Sequence, residues 1–142
     1  MRIADVLRRK GTQVHTVHPS ASVADLLGLL AARNVGALVV IEEQTVRGIV
    51  SERDVVRRMN ERGRELLTCP TSEIMTTAVV SCTPEDSVDD VMRAMTEHHF
   101  RHLPVVVDGR LGGVVSIGDM VYARIGELEQ EREQLTTYIA HG

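Results

Sequence analysis

The sequence predicts an α+β protein made of two copies of one β-α-β-β-α unit, with helical segments at both ends. Three observations lead there. Sliding the 142 residues against themselves by 65 positions aligns Val14–Val56 with Val79–Val121 without a gap and finds 12 identities in 43 positions; chance leaves about two or three at ordinary residue frequencies. Within each copy, short β-branched runs alternate with apolar residues at helical spacing. The composition, 43% hydrophobic and 25% charged, is that of a folding chain rather than a disordered one, and at this size roughly 68–70% of the unfolded surface can be buried.

The elements follow in order. Ile3, Val6 and Leu7 give the N-terminal segment one apolar helical face. A β-rich run then meets a proline (Val14–Val17 before Pro19; Ala78–Cys82 before Pro84), and both runs read as strands. Ser22 or Ser87 stands where an N-cap would, ahead of the stripes Val23, Leu26, Leu27, Leu30 and Val88, Val91, Met92, Met95. Ala37–Ile41 and Leu103–Val107 read as buried strands ended by the polar turns Glu42–Thr45 and Asp108–Gly109–Arg110. A third strand, Arg47–Val50 or Gly112–Val115, runs into a helix opening at Ser51-Glu-Arg-Asp54 or Ser116-Ile-Gly-Asp119. Arg57–Pro70 reads as a helix end followed by a linker. One unit of about 45 residues is too small to cover both faces of a three-stranded sheet, so two copies must pack together. The expected divisions are repeat 1 at 8–65, repeat 2 at 72–126 and a helical tail at 127–142. In that tail region Val121, Ile125, Leu128, Leu135 and Ile139 form a narrow apolar seam on a charged helix, a pattern of self-association.

Composition also excludes. One Phe, two Tyr and no Trp leave no stacking platform for single-stranded nucleic acid. A net charge of -4 supplies no field for a polyphosphate backbone. No apolar run reaches the roughly 18–20 residues of a membrane span, and Met1 to Lys10 lacks the apolar stretch of a signal peptide, so the cytoplasm is the expected compartment. Cys69 and Cys82 form no C-x-x-C pair and read as reduced thiols. His98 and His102 stand four apart, but the helical pattern ends near His99 and no third ligand lies at zinc spacing, so no metal is expected. No nucleophile elbow, metalloprotease, dinucleotide or P-loop element is present, and no reaction is proposed.

Val35-Gly-Ala-Leu-Val-Val40 with Gly48-Ile-Val-Ser-Glu-Arg-Asp54, and Phe100-Arg-His-Leu-Pro-Val-Val106 with Gly113-Val-Val-Ser-Ile-Gly-Asp119, preceded by Glu73-Ile-Met-Thr76, carry a resemblance. From about Ile3 to Arg124 the chain resembles a tandem pair of cystathionine-β-synthase (CBS) domains, the Bateman module, and is similar to small free-standing two-CBS proteins. The resemblance implies a pseudo-twofold pair whose cleft binds an adenosine-containing ligand such as AMP, ADP, ATP or NAD. It further implies that each site takes the aspartate of one repeat and the leading strand of the other. One site would combine Thr12, Val14, Gly36 and Ala37 with Val114, Ser116 and Asp119; the other, Thr77, Val79, Arg101 and His102 with Ile49, Ser51, Arg53 and Asp54.

The chemistry of S-x-x-D fits that implication. An ionised Asp is acceptor-only, which suits the adjacent hydroxyls of a ribose, and a helix N-terminus near Ser51 or Ser116 favours phosphate. The same motif is also a capping box that merely satisfies backbone donors. Small residues at Gly36-Ala37 admit a flat base, whereas Arg101-His102 supply donors suited to phosphate. Arg53 has Gly118 as its counterpart, so only the Asp54 site gains a cation beside its carboxylate; the plainer role for Arg53 is a surface salt bridge. The expected function is a nucleotide sensor acting on a partner protein, with a homodimer as its assembly. The alternative is a structural module that assembles through Met120–Ile139 with no nucleotide role.

Overall fold

In a computed structural model of the chain, which describes residues 1–141, the element order is α1 (Ile3–Lys10), β1 (Thr16–Val17), α2 (Val23–Arg33), β2 (Ala37–Glu42), β3 (Thr45–Ser51), α3 (Glu52–Arg62), α4 (Val88–His98), β4 (His102–Val107), β5 (Arg110–Ser116) and α5 (Ile117–His141). Gly142, the last residue of the expected tail, lies outside the described residues. The mixed α+β class is as the sequence predicts, with one sheet ordered β1-β2-β3 and a second of β4-β5.

Local chemistry starts and stops the helices where expected. The Ser22 hydroxyl accepts from Asp25 N–H (3.1 Å) and the Ser87 hydroxyl from Asp90 N–H (3.0 Å), each capping an orphan donor of the first turn. Both helices end on a left-handed residue, Asn34 (φ 53°) and His99 (φ 59°). Val23, Leu26 and Leu30 of α2 and Val88, Val91 and Met95 of α4 are buried. The turns after β2 and β4 each place two residues at positive φ, Glu43-Gln44 and Asp108-Gly109, the backbone that matches strand twist in a two-residue hairpin.

The strands at the head of each repeat are shorter than expected. β1 is two residues long and pairs in parallel with β2, Thr16 opposite Val39 and Val17 opposite Val40. In the second repeat the expected strand over Ala78–Cys82 shrinks to a single bridge between Cys82 and Val105. Two prolines cause this. Cys82 N–H donates to Pro104 O and Val106 N–H donates to Cys82 O. The next rung on one side needs an N–H from Pro104 and on the other an N–H from Pro84, and neither exists. Val39 stands at the Pro104 position in the first repeat and keeps its donor.

The chain divides into two units: residues 1–12, 81–106 and from Gly113 onward in one, and residues 13–80 with 107–112 in the other. The helix that precedes the first repeat therefore packs with the body of the second. Within the first unit Ile3 N–H donates to Asp86 O (2.9 Å), Ala4 N–H to Pro84 O (2.9 Å) and Val88 N–H to Met1 O (3.0 Å). The second unit repeats the set with the segment after α3: Thr71 N–H to Ala21 O (2.8 Å), Ser72 N–H to Pro19 O (2.9 Å) and Val23 N–H to Cys69 O (2.9 Å). That segment is not the bare linker the charge pattern predicts. It forms 3₁₀ turns at Gly63–Thr68 and Thr71–Glu73, and Leu66 is fully buried with Leu26, Val40, Val50 and Ile74. In the first unit Ile3, Val6, Leu7, Met95, Val105, Val115 and Met120 are buried.

Candidate functional site

Each S-x-x-D element lies at a strand-to-helix turn, and both are capping boxes. Asp54 N–H donates to Ser51 Oγ (3.3 Å), while Asp54 Oδ2 accepts from Ser51 N–H (2.8 Å) and Ser51 Oγ (3.1 Å). Asp119 N–H donates to Ser116 Oγ (3.1 Å), and Asp119 Oδ2 accepts from Ser116 N–H (2.8 Å). The capping role is thus real, yet it uses one oxygen per carboxylate. Among the described residues nothing donates to Oδ1 of either aspartate, and both side chains are part-exposed. An unused oxygen on a part-exposed carboxylate is an acceptor for a ligand hydroxyl.

The helix N-termini are more committed than the sequence reading expects. Glu52 N–H donates to Gly36 O (3.0 Å) and Ile117 N–H to Arg101 O (2.8 Å). With the third N–H of each helix on its serine, the intervening N–H groups of Arg53 and Gly118 are left outside these bonds. An anion at either turn would find fewer donors than a fully open helix end offers.

The second unit gathers Gly36, Ala37, Ile49, Ser51, Arg53, Asp54, Thr77 and Val79, together with Val14. Ala37 stands opposite Ser51 across the β2–β3 ladder, and Ile49 exchanges backbone hydrogen bonds with Thr76 (3.1 and 2.9 Å) just before Thr77. Val14 borders a depression of about 250 Å³ with Thr16 and Arg33. Gly36 borders one of about 400 Å³ with Asn34 and Glu52. Arg53 is exposed and joins no ion pair among the described residues, so the surface salt bridge is not formed. The first unit gathers Thr12, Arg101, His102, Val114, Ser116 and Asp119. His98 ends α4 while His102 starts β4, so they share no helical face.

One residue escaped the sequence reading. Lys10, the last residue of α1, places its Nζ 2.6 Å from Asp119 Oδ2 and 2.8 Å from Val114 O. Burial pushes the Asp119 carboxyl up, but the hydrogen bond and charge of Lys10 and the Ser116 N–H outweigh it, so its pKa lies below the ordinary carboxylate value. Among the described residues no cation pairs with Asp54, so the charge asymmetry runs opposite to the sequence expectation, which gave the cation to the Asp54 turn through Arg53. The pairing spans 109 residues of sequence, and no local spacing reports it.

Both cysteines are free. Burial pushes the Cys82 thiol up to about 12, the opposite of an activated nucleophile. No helix is long and apolar enough to cross a membrane among the described residues. On α5, Met120 and Ala123 are buried, while Val121, Ile125, Leu128, Leu135 and Ile139 are exposed.

A duplicated strand-and-helix frame with a part-exposed aspartate at each matching turn defines a paired-repeat protein. The chain belongs to the CBS domain family, whose model matches residues 3–61 and 72–126. It is 38% identical over 109 residues to the CBS domain-containing protein YhcV of Bacillus subtilis, covering 77% of each chain. Among solved structures it is similar to the CBS-domain containing protein ATU1752 from Agrobacterium tumefaciens, with 42% identity, a TM-score of 0.85 and coverage of 87% of this chain and 99% of that one. It is also similar to CBSX2 in complex with AMP, with 31% identity, a TM-score of 0.74 and coverage of 88% and 96%.

Proposed function

We propose that this chain is a regulatory protein that binds an adenosine nucleotide (AMP, ADP, ATP or NAD), with Asp54 and Asp119 accepting hydrogen bonds from ribose hydroxyls, and that occupancy is passed to a partner protein. The observation that carries the reading is the unused Oδ1 on each capped, part-exposed aspartate. The AMP complex of CBSX2, 31% identical, supports the ligand class. Thr12, Val114 and Ser116 belong with Asp119, and Ile49, Ser51, Arg53, Thr77 and Val79 with Asp54; Val14, Gly36 and Ala37 are proposed as base contacts, Arg101 and His102 as phosphate contacts. Binding rather than catalysis is the proposed activity, in the cytoplasm. A ligand that favours one of two conformations shifts their populations, and that shift is the signal.

A thermal-shift series over AMP, ADP, ATP and NAD, with GTP and S-adenosylmethionine beside them, tests this. Ligand at 100 times its dissociation constant adds about 2.7 kcal/mol of stability. Asp119→Ala or Asp54→Ala removes a charge-assisted hydrogen bond and weakens binding about 10–150-fold. No shift with any adenosine compound overturns the reading.

A second reading rests on the exposed Val121, Ile125 and Leu128 of α5: a homodimer assembled through this helix. Light scattering on the chain with Ile125 and Leu128 both changed to Gln decides it, and an unchanged mass excludes α5 as the interface.

A further inference from the structure

We propose that Lys10 is a ligand-site residue that makes the Asp119 turn select anionic adenosine ligands over neutral or cationic ones. The inference rests on the nucleotide reading above. The Lys10 ammonium touches Asp119 Oδ2 at 2.6 Å and Val114 O at 2.8 Å, two groups assigned to the ligand. An ammonium has three donors, and these bonds engage two. The lysine side chain is 36% exposed and the aspartate 20%, so the cation lies at the surface of the turn rather than sealed behind it.

Four consequences follow from charge. Held by Lys10, the Asp119 carboxyl stays ionised and acceptor-only, with Oδ1 open to a sugar hydroxyl. A nucleoside without phosphate carries no charge to meet the ammonium and gains nothing from it. A phosphate carried by the bound sugar meets the third N–H of an ammonium already in place, and forms a charge-assisted hydrogen bond without drawing a mobile side chain from solvent. A sulfonium-bearing ligand meets a like charge at the same point and is disfavoured. Among the described residues the Asp54 carboxylate is bonded by Ser51 alone, so this device belongs to one turn of the two.

Titration calorimetry of the full chain with AMP, adenosine and S-adenosylmethionine, on wild type, Lys10→Met and Lys10→Arg, tests the proposal. Lys10→Met should lower the affinity ratio of AMP over adenosine by about 10-fold or more, the loss of one charge-assisted hydrogen bond, and should narrow the ratio of AMP over S-adenosylmethionine at least as much. Lys10→Arg, which keeps the charge, should retain most of both ratios. A melting curve for each variant confirms folding. If wild type binds AMP and Lys10→Met leaves the AMP-to-adenosine ratio within about threefold, the selectivity role is wrong and the nucleotide reading stands. If wild type binds neither AMP nor adenosine, the nucleotide reading itself has failed and the role of Lys10 falls with it.

Discussion

The two repeats share one frame but close their last strand by different means. At β3, Ile49 exchanges both backbone hydrogen bonds with Thr76, a short extension of the sheet. At β5, the matching Val114 carbonyl is reached instead by the Lys10 side chain. The cause lies in the segments that dock on each body. After Thr71–Glu73 the chain leaves its 3₁₀ turn and runs through Thr76-Thr77, β-branched residues that favour extended backbone. After Ile3-Ala-Asp the corresponding segment continues through Leu-Arg-Arg-Lys, good helix formers, to Lys10. A difference in local propensity thus turns a backbone ladder into an ion pair on a candidate ligand carboxylate. Duplication kept the scaffold and left the two turns chemically unequal.

The sharpest way to break this comparison is at the matched glycines. A Cβ on Gly48 would lie 2.7 Å from the backbone oxygen of Thr76 and 2.9 Å from Met75 Sδ, whereas one on Gly113 would meet the end of the Leu7 side chain at 2.7 Å. Gly48→Ala should cost roughly 1–3 kcal/mol in urea unfolding, because backbone must move, and Gly113→Ala about 1 kcal/mol less. Equal costs would mean that the two closures are equally pliant.

The ion pair comes next. Lys10→Met should lower stability at neutral pH by up to about 1 kcal/mol, the scale of a partly exposed pair. Asp119 has a depressed folded-state pKa, so its contribution is present above the ordinary value of 3.8 and is lost as pH falls through the folded value. The gap between wild type and variant should therefore close in acid below that point. A gap that persists there points to lost packing of the lysine stem instead.

The smallest effect separates the hairpins. Asp108-Gly109 suits two positive φ angles, while Glu43-Gln44 adopts them with side chains that disfavour them. Gln44→Gly should raise stability by about 0.5–1 kcal/mol and Gly109→Gln should lower it by a similar amount, read as melting shifts of a few degrees.

Much of the frame was legible. Ser22, Ser87, Ser51 and Ser116 announced their helices because a cap acts over three residues, and Val23-Leu26-Leu30 announced a buried face because a helix repeats every 3.6. The missing strand at Ala78–Cys82 was written in Pro84 and Pro104, but only the register shows that both missing donors fall on adjacent rungs. Leu66 was hidden in a charged stretch whose buried residue has no periodic companion. The candidate aspartates were visible from the repeat, whereas their state was not: the motif shows neither which oxygen the cap consumes nor what approaches the other.

What the sequence determined alone is the duplicated order of helix, two-stranded hairpin and helix, with its caps, turns and apolar faces, since each depends on residues within a few positions of one another. What the tertiary structure decided is which segment docks on which repeat and, through that, the placing of Lys10 on Asp119 across 109 residues. Such a contact is set by where two distant surfaces meet, and its strength comes from the part-buried setting that only the folded chain creates.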